Sequence, residues 1–257
     1  MTSENGMRVG LSLGPEGDLV ENIELAEDMD FIEFGLGEGE RLQEDIDAEE
    51  VNEKLEELDL DLVVHLPFRQ VLATAVPELN ESILEYHDRL LEFSTQMGAE
   101  KAVVHVDTRG KHEEIEEELI LEQIEKLDEL GKEHGIEIVF ENLGHWRGIE
   151  LEELGTMLEE LEVSMCFDTG HAFSEVGQEE TEEFLEEYSH LISHIHFTDT
   201  REGRDMHLPI GSSEVGFEGM MEKFEDFDGT ACMEIFTDDP DYIQLSKWKV
   251  KDLFEEG

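Results

Sequence analysis

Short apolar runs in this chain repeatedly end on residues able to bind a metal or move a proton. Glu33 ends FIEF, His65 ends LVVH, His105 ends AVVH, Glu141 ends IVFE, Asp168 ends MCFD, His196 lies in HIHF and Glu234 ends ACME. His171 follows Asp168, and Asp205 and His207 follow His196 in RDMHLPIG. Taken singly, a histidine in such a place is ordinarily a satisfied structural residue, and a carboxylate ordinarily caps the next helix. Taken together, five histidines and five carboxylates meeting at one mouth would leave several buried ionisable groups unpaired, which bound cations compensate. Imidazole with carboxylate suits Zn²⁺, Mn²⁺, Fe²⁺ or Co²⁺ better than Ca²⁺. The expected cofactor is therefore a divalent ion, zinc or manganese first, with cobalt, iron or magnesium as alternatives.

For these residues to meet, the apolar runs must lie side by side with their ends on one rim. Eight such runs recur: Met7 to Leu13, Phe31 to Leu36, Leu62 to Leu66, Ala102 to Val106, Ile136 to Leu143, Val163 to Asp168, His194 to Thr198 and Ala231 to Phe236. Helical patterns separate them. In HEEIEEELILEQIEKLDEL, Ile115, Leu119, Ile120, Ile124, Leu127 and Leu130 form one apolar stripe, with Gly131 and Gly135 punctuating its end. From Glu78 to Met97, Leu79, Ile83, Tyr86, Leu90, Phe93 and Met97 repeat at helical spacing, and Gly98 is placed to stop the helix. Eight strand-helix units predict an α/β chain folded as one (β/α)8 barrel, a TIM barrel, spanning residues 1–257 as a single domain, with its active site at the C-terminal strand ends. A doubly wound sheet is the rival. It lacks support because GPEGD and GLGEGE, after the first two strands, do not fit GxGxxG, and no GxxxxGK[ST] occurs. Gly35, Gly37 and Gly39 read as a turn.

Seventeen Lys plus Arg stand against seventy Asp plus Glu, a net charge of −53 spread along the whole chain. Leu, Ile, Val and Phe supply 74 of the 257 residues, enough to build a core despite that charge. Self-repulsion among the acids opposes compaction at low ionic strength, and a Debye length of about 3 Å at 1 M salt would screen it. The composition thus reads as adaptation to a salty cytoplasm, and it disfavours non-specific attraction to nucleic acid or acidic lipid. The start, MTSENGMRVG, carries no basic segment followed by an apolar stretch, and no run of about 18 apolar residues occurs, so a cytoplasmic protein without a membrane partner is expected. Cys166 and Cys232 sit in apolar runs as free thiols. His87, His112, His134 and His190 are expected at the solvent. His145 and His194 either support the ligands or have no role, and Asp199 either orients a ligand imidazole or holds its own loop. Lys247, Lys249 and Lys251 are expected to pair with surface acids.

At the ligand-bearing runs the chain resembles the xylose isomerase-like barrel superfamily, which contains endonuclease IV and many sugar and sugar-phosphate isomerases and epimerases. The resemblance rests on VVHLPF, VVHVD, FENLG, CFDTGHAF, HIHFTDT with DMHLPIG, and MEIF, in the family's order. In the isomerase branch it implies one metal on Glu141, Asp168, His196 and Glu234. Glu141 and Glu234 would then move a proton through an enediolate, and His171 and Arg201 would bind substrate oxygens. In the endonuclease IV branch it implies three zinc ions on His65, His105, Glu141, Asp168, His171, His196, Asp205, His207 and Glu234, with phosphodiester hydrolysis as the reaction. The first βα unit lacks the loops with which endonuclease IV proteins surround DNA.

Five of the eight arginines, Arg69, Arg109, Arg147, Arg201 and Arg204, follow the proposed ligands. Their planar forks suit phosphate or carboxylate, unless local acids claim them. Glu33, Arg69 and Arg109 join His171 and Arg201 as candidate substrate-binding residues. Phe68 and Trp146 could stack on bases or cover a small substrate. The resulting expectation is a metal-dependent sugar or sugar-phosphate isomerase or epimerase acting on a small anionic or polar sugar. An apurinic-site endonuclease is the alternative, the only reading with nucleic acid as partner. A metal-binding barrel without turnover is a third class, and a homo-oligomer stays open.

Overall fold

The computed structural model describes residues 6–14, 17–38, 41–109, 111, 114–144, 147–224, 227–237 and 239–255. Gly39, His112, His145 and Trp146 of the sequence analysis lie outside the described residues. Eight strands run β1 (Arg8–Leu13), β2 (Phe31–Gly35), β3 (Asp61–His65), β4 (Lys101–His105), β5 (Glu137–Glu141), β6 (Ser164–Asp168), β7 (Ile192–Phe197) and β8 (Thr230–Met233). Each pairs in parallel with the next, and β8 returns to β1 with Arg8 opposite Thr230, closing a barrel. The helices are α1 (Leu19–Ile23), α2 (Ala48–Leu58), α3 (Pro77–Gln96), α4 (Glu117–His134), α5 (Leu151–Leu161), α6 (Thr169–Tyr188), α7 (Phe217–Met221) and α8 (Pro240–Glu255), with α1 and α7 reduced to about one turn. This is a TIM barrel in a single domain, and all eight expected strands form within a few residues of their expected bounds.

Period-two alternation sorts each strand's side chains between two cores. Outward residues such as Ile32, Phe34, Val64, Val104, Ile138, Phe140 and Phe167 pack under the helices in one large cluster. Inward residues Phe31, Val63, Val103, Val139, Cys166 and Cys232 form a separate apolar layer inside the barrel. The Phe31 ring fills the space left by Gly10, where a Cβ would come within 2.4 Å of it. Below that layer, Lys101 Nζ donates to the Ser193 carbonyl at 2.8 Å and pairs with Glu137 at 3.1 Å. Both cysteines are buried and free.

The helical stripes hold in outline. Ile120, Ile124 and Leu127 of α4 are buried, as are Leu90 and Phe93 of α3 with the following Met97, while Leu79 at the start of α3 is exposed. Gly135 ends α4 at φ 73, but Gly131 lies within the helix. A Cβ on Gly131 would come within 2.4 Å of Ile138, so its lack of a side chain lets α4 approach β5. Gly37 adopts φ 87, consistent with the expected turn after β2. Among the described residues, no helix is long and apolar enough to cross a membrane.

Two expectations about surface residues need correction. His87 is buried within α3 rather than solvated, neither ring nitrogen has a hydrogen-bond partner, and burial lowers its pKa to about 4, so the ring is neutral. Among the described residues, Lys247 and Lys249 donate to the carbonyls of Asp28 and Gly211 and form no ion pair with a surface acid. His134 and His190 do lie toward the solvent, beside Asp88 and Glu159.

Candidate metal centre

Two residues beyond each member of the inner apolar layer, the same strand faces carry the ligand-type side chains. Phe31 leads to Glu33, Val63 to His65, Val103 to His105, Val139 to Glu141, Cys166 to Asp168 and Cys232 to Glu234. The strand period therefore raises these side chains one level toward the C-terminal rim. On β7, His194 and His196 stand in the same relation. His171 comes from the first turn of α6, where its main-chain N–H caps onto Asp168 Oδ1 at 2.6 Å. Asp205 and His207 enter from the loop after β7, with His207 at φ 46.

Among the described residues five groups of potential ligand atoms converge within 4.8 Å, and three of them consist wholly of the expected ligands: Glu141, Asp168, His196 and Glu234; His65, His105 and Glu141; and His171, Asp205 and His207. Glu141 belongs to two of them. His65 Nε2 and His105 Nε2 lie 3.2 and 2.9 Å from Glu141 Oε2, and His196 Nδ1 lies 3.4 Å from both Glu141 Oε1 and Glu234 Oε2. Asp205 sits between His171 and His207, at 3.5 and 2.9 Å.

The imidazole orientations test whether these groups suit a cation. His65, His105, His171 and His207 each place Nδ1 near a main-chain carbonyl, that of Leu66, Phe68, Asn142 or Glu234, at 2.7 to 3.3 Å. A carbonyl only accepts, so Nδ1 carries the hydrogen and Nε2 is left to face a carboxylate. In His196 the roles reverse: Nε2–H donates to Glu33 Oε2 at 3.1 Å, and Nδ1 turns to the four-residue group. His196 Nδ1 and Asp168 Oδ2 are buried without any hydrogen-bond partner. Two orphaned electron-pair donors, an imidazole nitrogen and a carboxylate oxygen, fit a shared divalent ion.

The electrostatics agree. Burial pushes the Glu141 carboxyl up, but His105 and His196 more than reverse that and hold it well below the ordinary value. Burial raises Asp168 to about 6, and despite burial the neighbouring Glu234 and Asp205 lift His207 to about 9. Protons on His65, His171, His196 and His207, all raised by neighbouring groups despite burial, balance the buried carboxylates, a task that a bound cation would take over, whereas burial lowers His105.

The ligand groups open into a cavity of about 700 Å³ whose wall includes His65, His105, Glu141, His171, Asp205, His207 and Glu234, together with Phe68, Arg147 and Phe236. Such a volume suits a small molecule. Asp168 and His196 lie in the floor, fully buried. Four expected substrate-binding residues do not reach the wall. Glu33 is buried beneath His196, where His194 and His196 both point Nε2 at its Oε2 from 3.1 Å. Arg69 lies over the Phe68 ring, Arg109 turns to the Arg69 carbonyl and Asp107, and Arg201 is exposed. Of the five arginines, only Arg147 lines the cavity, paired with Asp107 at 2.9 Å.

Asp199 accepts main-chain N–H groups from Thr200, Ser213 and Val215, so it holds its own loop. Two contributors escaped the sequence reading. Asn142 clamps β5 to β6 through paired bonds with the Asp168 main chain at 2.8 and 3.1 Å; its place beside Glu141 in FENLG was the available signal. Arg41 lines the cavity from the loop after β2, and no periodicity marks it.

A model of the xylose isomerase-like TIM barrel matches residues 23–252. The chain belongs to that family. A probable endonuclease 4 of Aquifex aeolicus is 27% identical over 218 residues, covering 76% of this chain and 74% of that protein. An uncharacterised protein of Methanocaldococcus jannaschii is 25% identical over 192 residues, covering 68% of this chain and 64%, just under two thirds, of the relative. Among solved structures, a D-tagatose 3-epimerase-like protein superimposes with a TM-score of 0.81 at 24% identity, covering 97% of each chain. In this xylose isomerase-like barrel, Glu33→Gln should weaken divalent-metal binding about 10- to 100-fold by loosening His196, with the fold kept. Titration against a coloured chelator checks this, and unchanged affinity would limit Glu33 to packing.

Proposed function

We propose that this protein is a divalent-metal-dependent isomerase or epimerase of sugars or sugar phosphates. One observation carries the reading: Glu141 and Glu234 both face a small-molecule cavity and both flank His196 at 3.4 Å. Glu141, Asp168, His196 and Glu234 would hold the ion, which would polarise a sugar carbonyl and its neighbouring hydroxyl. Beside that carbonyl, one ionised glutamate would take the proton from carbon to leave an enediolate, and the other, once it has gained a proton from solvent, would deliver that proton to carbon while the first releases its own to solvent. Burial pushes Glu234 up, but His207 and His196 bring it below its ordinary value, so both carboxylates are ionised and able to accept a proton at neutral pH. His171, in the same wall, is placed to donate to a substrate oxygen. The similarity to a D-tagatose 3-epimerase-like structure supports this choice of reaction.

A second reading has its own observation. The two three-residue groups, His65 with His105 and Glu141, and His171 with Asp205 and His207, complete a set suited to several ions. The similarity to a probable endonuclease 4 accords with phosphodiester hydrolysis there. The test is a panel of ketoses and ketose phosphates followed for solvent-deuterium exchange, with an abasic-site oligonucleotide followed for nicking, both in high salt. Exchange without nicking is expected, and metal-dependent nicking without exchange would replace the first reading with the second.

Protein purified without chelator should carry tightly bound zinc, manganese, iron or cobalt. Elemental analysis checks this: one equivalent favours the isomerase and three the nuclease. No transition metal, together with no activation by any added divalent ion, would defeat both.

A further inference from the structure

We infer that Arg41 forms an anion-binding subsite of the cavity, so that the substrate is a sugar carrying a phosphate or carboxylate at the end away from the carbonyl. The inference rests on the isomerase reading for the word sugar, and on Arg41 alone for the charge. Arg41 is 4% exposed and lies in the cavity wall on the β1 and β2 side. Its Nη2 donates to the Gly14 carbonyl at 2.5 Å, and its guanidinium carbon stands 5.6 Å from the centre of the Phe34 ring. Its Nη1 is buried without a hydrogen-bond partner. Among the described residues no carboxylate lies within ion-pair distance of it, although the chain has seventy acids.

A buried guanidinium with an unmet donor is costly unless something anionic meets it. Burial lowers its pKa only to about 10, so the group stays charged at neutral pH. Arg147 makes the comparison clear. It lines the same cavity, but Asp107 neutralises it at 2.9 Å and the Phe68 carbonyl takes a further N–H. Glu38, also in the wall, has a buried Oε1 without a partner, an acceptor suited to a sugar hydroxyl. A phosphate or carboxylate can take the fork of Arg41 in two hydrogen bonds, which a neutral hydroxymethyl end cannot.

The test measures binding of a matched series at constant KCl: one ketose, its terminal phosphate and the aldonate of the same length. Wild type should bind at least one anionic member about tenfold or more tightly than the ketose, the range of a charge-assisted hydrogen bond. Which member wins separates phosphate from carboxylate. Arg41→Gln should bring the series to near-equal affinity, the anionic members losing about tenfold or more relative to the ketose. Should Arg41→Gln fail to fold for want of its tie to Gly14, Arg41→Lys replaces it, and the preference should fall several-fold because a single ammonium lacks the fork. Equal affinities in wild type, no binding of any member, or a preference undiminished in the readable variant would overturn the subsite. Anion preference without deuterium exchange would keep the subsite and defeat the isomerase reading. Exchange on the ketose without anion preference would do the reverse.

Discussion

Glu141→Gln and Glu234→Gln should each abolish solvent-deuterium exchange into the sugar, lowering it by about 10³-fold or more, with the fold retained. Both glutamates face the cavity, and both are held ionised by neighbouring imidazoles. Glutamine keeps the volume and an acceptor oxygen but cannot take the proton. The two variants should differ in metal content. Glu141 meets His65 and His105 as well as His196, so its loss disturbs two ligand groups, whereas Glu234 serves one of the three. Glu141→Gln should therefore lose more metal than Glu234→Gln, read by elemental analysis beside the exchange assay and circular dichroism. Exchange within tenfold of wild type in either variant would remove that glutamate from proton transfer.

Thermal melts in about 0.1 M and about 2 M KCl should differ by at least about 5 °C, with the higher midpoint in the higher salt. In a chain of this size that shift corresponds to about 2 kcal/mol. Two salt effects compete. Screening weakens exposed surface pairs such as Lys126 with Glu122 and Lys132 with Asp128, which contribute little. It also relieves repulsion among the 53 negative charges that remain after seventeen basic residues offset part of the seventy acids. Repulsion is the larger effect, so salt stabilises on balance. A midpoint unchanged or lower at 2 M would reject the reading of the composition as salt adaptation.

The barrel and the ring of ligand-type residues were legible because one periodicity governs both. Alternation along a strand places every second residue in the interior, so a run such as AVVH already states that His105 stands one level above Val103. Closure into a barrel then carries seven strand ends to a common rim, without any single motif specifying a contact. Local patterns could not say which end of the interior a side chain serves. Glu33 has the same place in its strand as Glu141, yet its carboxylate meets His194 and His196 of β7 and does not line the cavity. His87 looked like an ordinary polar residue of a helix and is buried, since the depth of a helical position depends on the neighbouring element. The arginines show the limit most plainly. Arg201 follows a ligand strand closely and points to solvent, whereas Arg41 follows β2 and lies in the cavity wall. A loop has no period, so the direction of its side chains follows from its backbone path and from the partners it meets, here the Gly14 carbonyl and the Phe34 ring. Those partners come from β1 and β2, and only closure of the barrel brings them together around Arg41.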